Sequence, residues 1–170
     1  AAGATVVNFS PLYSVDELAH QVADSGTSIL FTVSAAALLP TAIKVLDNSS
    51  LKELIVGSVA EALPKAKSWA YRLLKRSDIA AIPDDSRITH YAALIANDGD
   101  YAVQPCTPEQ DIAQLQYTGG TTGTPKGAML SHQNITANAR QINMLDPHSA
   151  VNEPNRPADD RILGVLPFFH

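Results

Sequence analysis

Residues 28–59 read SILFTVSAAALLPTAIKVLDNSSLKELIVGSV, and three segments within them decide the fold. The first, SILFTV (28–33), is a short apolar run with β-branched and aromatic residues, which favours a strand. The second, 35–46, places Leu38, Leu39, Ala42, Ile43 and Leu46 at the spacing of one helix face. Pro40 interrupts it, so the helix must start late or kink, because proline lacks the N–H that a helix interior needs. The third, ELIVGSV (53–59), is apolar at successive positions, as a strand buried on both faces is. Strand, helix and strand at this spacing make a βαβ unit.

The pattern continues towards the start of the chain. ATVVNF (4–9) reads as a buried strand that Pro11 ends. Ser14 and Glu17 then form the S-x-x-E capping box, in which each side chain satisfies a backbone N–H of the other residue. Val15, Leu18, Ala19 and Val22 follow at helical spacing, and Gly26 closes the helix. Strand, helix, strand, helix, strand with right-handed crossovers predicts an α/β fold: a doubly wound, mostly parallel sheet with helices on both faces. At 170 residues the chain has the length of a single α/β domain with a sizeable core.

Residues 60–76 differ in character. Lys65, Lys67, Arg72, Lys75 and Arg76 interleave with Leu63, Trp69, Leu73 and Leu74. One reading is a solvated amphipathic helix whose apolar side packs on the domain. The other is a basic amphipathic surface that touches membrane lipid. Residues 79–87 read as a Pro/Asp loop with one short extended piece. Residues 89–97 suggest a short helix through Tyr91, Leu94 and Ile95, and 97–109 a turn-rich surface loop.

Composition narrows the classes. The hydrophobic fraction is 45% and the charged fraction 17%, which suits a globular chain. A net charge of −5 argues against nucleic acid as a main partner. One cysteine, Cys106, excludes an internal disulfide and fits a reducing compartment. In its polar, proline-flanked setting it reads as incidental rather than nucleophilic. No apolar run has the roughly 18 residues of a membrane span, and no signal peptide opens the chain.

The chemistry concentrates at 117–127, YTGGTTGTPKG, between two strand-like flanks, DIAQLQ (111–116) and AMLS (128–131). Gly119, Gly120 and Gly123 let the backbone approach a ligand closely. Successive N–H groups in such a loop form an anion-binding concavity. Thr118, Thr121, Thr122 and Thr124 add hydroxyl donors, and Lys126 adds a point charge suited to phosphate. Pro125 fixes φ just before the lysine. An ordinary Gly/Thr hairpin would need neither the lysine nor the clustered hydroxyls. The Walker A loop does not fit: counted from Gly120 its second glycine falls on Pro125, and Lys126 precedes Gly127 instead of Ser or Thr.

Beyond the loop, Ser131 and Asn134 mark a helix start, continued by Ile135, Asn138, Ala139, Ile142 and Leu145. His132 reads as part of that helix cap and not as a catalytic group. Residues 146–161 read as a loop and ILGVL (162–166) as a strand. The carboxylate pairs Asp98/Asp100 and Asp159/Asp160 lie in turn-rich stretches and suit solvated loops better than acid–base work. There is no zinc-type Cys/His spacing and no G-x-S-x-G elbow.

YTGGTTGTPKGAMLSH resembles the phosphate loop of the AMP-forming acyl-CoA synthetases, the adenylate-forming superfamily that includes firefly luciferase and the adenylation domains of peptide synthetases. LQYTGGTTGTPKGAMLSHQNITAN, the opening GATVVNFSPLYSVDELAHQVADSG and the closing LPFFH are similar to the long-chain fatty-acid–CoA ligase branch. The resemblance implies that 1–170 is a single α/β subdomain within the N-terminal AMP-binding domain of a longer protein, truncated at both ends. It implies ATP, Mg²⁺ and coenzyme A as co-substrates and a fatty acid as substrate; the expected location is the cytoplasm, with peripheral membrane contact left as one of the two readings of 60–76. It implies that Thr118, Gly119, Gly120, Thr121, Thr122, Gly123, Thr124, Lys126 and Gly127 bind the nucleotide phosphates. Lys126 and Thr121 are then the catalytic candidates, Thr118 a Mg²⁺ ligand, and His170, from the P-x-x-H run, a substrate-binding residue. Two alternatives stay open: a related ligase for another carboxylic acid, and a non-catalytic nucleotide- or phosphate-binding module. The remaining machinery would lie in the rest of the parent polypeptide, so the 170 residues alone are expected to be inactive.

Overall fold

The computed structural model describes residues 3–100, 102–118 and 125–145. In chain order the elements are β1 (Val6–Val7), α1 (Val15–Ser25), β2 (Ile29–Val33), α2 (Leu39–Asn48), β3 (Glu53–Gly57), α3 (Lys65–Leu74), a 3-10 turn at Arg76–Asp78, β4 (Ile88–His90), α4 (Tyr91–Leu94), β5 (Ile112–Thr118), β6 (Lys126–Ser131) and α5 (His132–Leu145). They belong to two compact units, Phe9–Tyr101 and the paired segments Ala1–Asn8 and Ala102–His170.

The unit Phe9–Tyr101 holds a parallel sheet in the order β2-β3-β4. Ile29 faces Glu53 and Val33 faces Gly57, while Leu54 faces Ile88 and Val56 faces His90. The βαβ reading of 28–59 holds, with α2 as the crossover. Pro40 is accommodated by the late start: α2 begins at Leu39, so the missing N–H falls in the first turn, where no helical partner exists. The capping box before α1 also forms. Ser14 N donates to Glu17 Oε2 at 2.7 Å, and Glu17 N donates to Ser14 Oγ at 3.3 Å. Gly26 ends α1 at φ 66°, a left-handed conformation that glycine adopts without a Cβ clash.

One face of this sheet meets the helices. Leu54 and Val56 of β3 share a core with Leu18 and Val22 of α1, with Leu39, Ala42, Val45 and Leu46 of α2, and with Leu51. Leu30 and Ile88 pack against it from the neighbouring strands. Alternate residues point the other way. There, Ile55 is buried, but Ile29 is 46% exposed and Phe31 63% exposed. The outer side of β2 is therefore open within this unit, where the continuous apolar run predicts cover on both faces.

Two further expectations are corrected. Val6 and Val7 do not join β2. They pair in parallel with Gln114 and Leu115 of β5, and Thr5 Oγ1 donates to the Ile112 carbonyl at 2.9 Å. An apolar run of this kind signals a strand but carries no information about a partner more than 100 residues away. The third strand of the β2-β3-β4 sheet is Ile88–His90, in a stretch where the periodicity predicts a loop and then a helix. A three-residue strand is too short to show alternation. It is held in place instead: Leu54 N donates to the Arg87 carbonyl at 2.9 Å, and Thr89 Oγ1 donates to Glu53 Oε1 at 2.7 Å.

The second unit holds a sheet in the order β1-β5-β6, with β5 and β6 antiparallel. A register shift between Ile112 and Gln114 marks a bulge at the far end from the Gly/Thr loop. α5 follows β6 directly. Ser131 caps it: Asn134 N donates to Ser131 Oγ at 3.2 Å, and Ser131 N donates to Asn134 Oδ1 at 3.0 Å.

Candidate functional site: the mouth of the β5–β6 hairpin

The Gly/Thr loop joins β5 to β6. Its described flanks are Thr118 on one side and Pro125, Lys126 and Gly127 on the other; Gly119, Gly120, Thr121, Thr122, Gly123, Thr124 and the distant His170 lie outside the described residues. Thr118 and Lys126 are register partners, the last pair before the loop, and both are exposed. Directly opposed residues of an antiparallel pair share a face with their Cβ atoms about 5 Å apart. The hairpin thus sets the Thr118 and Lys126 side chains next to each other on one face at the loop's base.

The same face continues in polar groups. Gln116 and Gln114 lie on it by the period-2 alternation. Gln114 Nε2 donates to Gln116 Oε1 at 2.6 Å, and Asn8 Nδ2 reaches the same oxygen at 3.4 Å from β1's end. The other face is apolar and fixes the register. Tyr117 is buried opposite Gly127. A Cβ at Gly127 would sit 3.1 Å from Tyr117 Cζ and 3.2 Å from Cε2, so the ring occupies the space a side chain would need. Sequence reading assigns Gly127 to phosphate binding. The structure gives it a second reason: it admits the tyrosine that holds the strands in register beneath Lys126.

His132 is the first residue of α5, and its backbone N–H donates to the Asp111 carbonyl at 3.3 Å. Desolvation, followed by the Asp111 charge, pushes the Cys106 thiol upward from its ordinary value. A thiol shifted in that direction is a poorer nucleophile at neutral pH. Among the described residues no three His, Cys, Asp or Glu side chains group so as to hold a metal ion. Thr118 offers a single hydroxyl oxygen, a donor that fits Mg²⁺ when phosphates and water supply most of the shell.

A separate cavity of about 190 Å³ opens in the unit Phe9–Tyr101, lined by Ser34, Ser58, Glu61, Arg72 and His90 over an apolar floor that includes Val56 and Ile82. Ser34 follows β2, Ser58 follows β3 and His90 ends β4. This is the carboxyl edge of a parallel sheet, where open α/β folds place ligands. Nothing in the sequence singles these residues out, because a serine after a strand has no motif of its own.

Comparison with known proteins agrees with the geometry. The AMP-binding enzyme family matches residues 1–170, so the chain belongs to that family. It is 36% identical to a long-chain-fatty-acid–CoA ligase of Bacillus subtilis and 34% identical to one of Escherichia coli O6:H1, in each case over 99% of this chain and 29% of the relative. The chain therefore spans about three tenths of the length of these curated relatives. Among solved structures, a red-emitting luciferase from Phrixothrix hirtus shares the fold, with a TM-score of 0.56 and 22% identity over 85% of this chain and 24% of the luciferase.

Proposed function

We propose that this chain is part of a long-chain fatty-acid–CoA ligase. The parent polypeptide would condense a fatty carboxylate with ATP to acyl-AMP and pyrophosphate, then transfer the acyl group to the thiol of coenzyme A. The observation that carries the reading is the Thr118/Lys126 pair, set by a Tyr117/Gly127 lock at the base of a Gly/Thr loop in a chain of the AMP-binding family. As the carboxylate oxygen bonds to the α-phosphorus, the bond to the bridging oxygen breaks and pyrophosphate leaves with added negative charge. Fixed donors aimed at developing charge are worth most in such a step. Lys126 would offset that charge. The loop residues Thr118, Gly119, Gly120, Thr121, Thr122, Gly123 and Thr124, with Gly127, would hold the phosphates, and Thr121 would share the catalytic role. Thr118 would supply one oxygen to Mg²⁺, which neutralises phosphate charge when bound. His170 would contact the carboxylate substrate.

The reading places the work in the cytoplasm, with the lipid-soluble substrate collected at a membrane. No helix among the described residues is long and apolar enough to cross one. The test is carboxylate-dependent exchange of pyrophosphate into ATP by the parent protein, with acids from acetate to palmitate. Long-chain acids should drive exchange best, and the 170-residue chain should be silent. No exchange with any acid would overturn the ligase reading. Tight Mg-ATP binding by the chain alone would favour the non-catalytic module.

A further inference from the structure

α3 carries an apolar face that its own unit does not cover. Ala66, Trp69, Ala70 and Leu73 stand at i, i+3, i+4 and i+7, one stripe of the helix. Trp69 is 70% exposed, Leu73 64% and the adjacent Leu74 78%, and no residue of α3 is buried. Trp69, Leu73 and Leu74 thus leave most of their surface uncovered by the unit Phe9–Tyr101. What does approach the unit is half-buried Ser68 and Tyr71 on the far side, half-buried Ala70 at the stripe's margin, and the edge residue Arg72 through its ion pair with Glu61 at 3.9 Å.

Charge flanks the stripe. Lys65 and Arg72 follow one edge at i and i+7, Lys67 follows the other, and Arg76 opens the 3-10 turn just beyond the helix. Five of the chain's 12 Lys and Arg residues fall in 65–76, with no acid among them, although the chain as a whole carries −5. Arg72 pairs with Glu61 and Lys75 with Asp78, while Lys65, Lys67 and Arg76 make no ion pair among the described residues. An exposed aromatic and aliphatic stripe bordered by unpaired cations matches a helix lying in the plane of a lipid interface. A protein partner could cover the stripe, but the one-signed border selects an anionic surface.

We propose that α3 is a docking surface for anionic membrane lipid, with Trp69 and Leu73 entering the acyl boundary and Lys65, Lys67 and Arg76 meeting the headgroups. This deepens the ligase reading, since it would hold the enzyme where long-chain acids partition, but it is tested without turnover. Trp69 is the chain's single tryptophan, so its fluorescence reports the helix directly. The 170-residue chain is titrated with vesicles of phosphatidylcholine alone and with vesicles containing 30% phosphatidylglycerol. The expected result is a blue shift at least tenfold more sensitive to the anionic vesicles and suppressed by ~0.5 M salt, the length scale of charge screening having fallen to a few ångströms. Sedimentation with the same vesicles should fall at least tenfold in the K65Q/K67Q/R76Q variant, whose three sites are exposed, and in L73S. Equal binding to neutral and anionic vesicles, or binding unaffected by the charge variant, overturns the proposal. So does a shift that depends on protein concentration without lipid, which would mean a second copy. The parent protein is then titrated in the same way, with its own tryptophans other than Trp69 replaced by phenylalanine. Trp69 already shielded there and silent to vesicles would also overturn it and assign the stripe to the rest of the polypeptide. Pyrophosphate exchange on the same preparation separates this failure from failure of the ligase reading.

Discussion

The two units differ in what they bury. All the fully buried large side chains among the described residues, Leu39, Leu54, Val22, Val45 and Val56, belong to the unit Phe9–Tyr101. The hairpin unit buries Tyr117 and Ser131 and little else that is described. Its strands are aligned by a tyrosine over a glycine, and its cap by a serine and an asparagine. A charged residue such as Lys126 is incompatible with an apolar core around it, since an ionised lysine in such surroundings would lose its charge or cost several kcal/mol. The difference suggests that substitutions in one unit will be read in stability and those in the other in activity.

The largest effect should come from the core. Leu54→Ala removes a side chain with no exposed surface from β3, the middle strand of its sheet. Truncations of that kind cost about 2–5 kcal/mol, and denaturant unfolding should show it as a lower midpoint with an unchanged slope. Lys126→Ala, at an exposed site, should leave unfolding where it was. In the parent protein it should slow adenylation by roughly 10²–10³, the range for loss of one donor to developing charge. A large stability loss in Lys126→Ala, or an unchanged exchange rate, would break the division between the units.

Gly127→Ala sharpens the comparison because it tests the seam between register and chemistry. The new methyl would press on the Tyr117 ring at 3.1 Å. The ring must yield by a few tenths of an ångström, and where its buried setting prevents that the overpacking costs about 1–3 kcal/mol. If the ring is the cause, adding Tyr117→Ala should remove the extra penalty, so the double-mutant cycle should show coupling of about 0.5 kcal/mol or more. If adenylation falls and the cycle is additive, Gly127 matters for phosphate approach alone.

What could be read from the residues follows the same division. The βαβ unit is legible because its signals are local: an apolar strand, a helical period, a capping box at Ser14 and Glu17, and a glycine at φ 66°. The hairpin that pairs Thr118 with Lys126 is legible because its strand-like flanks and its Gly/Thr turn occupy neighbouring positions. Pairing is not local, so Val6–Val7 could be recognised as a strand without its partner β5. β4 escapes because hydrogen bonds from Arg87, Thr89 and their partners specify it, with no periodic signal. Exposure of α3 escapes because an amphipathic pattern gives the stripe and not what covers it.

β4 also gives the smallest predicted effect, one that pH can isolate. Arg87 N and Nε both donate to Asp85 Oδ1, at 2.8 and 3.1 Å, and Nη2 donates to Asp85 Oδ2 at 2.6 Å and to Asp47 Oδ1 at 2.8 Å. These bonds hold the loop before β4 while the Arg87 carbonyl accepts from Leu54 N. Hydrogen bonds from the Arg87 side chain, then from its backbone, lower Asp85 from its ordinary 3.8 to about 2. A carboxylate that ionises more readily when folded adds stability above its unfolded value, and that contribution is lost as pH falls through the folded one. The window is therefore about pH 4 down to 2. The group is solvent-facing, so screening keeps the effect small. Asp85→Asn should lower Tm slightly at pH 7, by less than Leu54→Ala does, and the two curves should converge as the pH approaches 2. Amide exchange at Ile88, whose N–H donates to the Asp85 carbonyl at 2.9 Å, should accelerate in the variant ahead of exchange in β3. Parallel acceleration of β3 would mean that β4 does not open on its own, and that the sheet edge and the core form one cooperative unit.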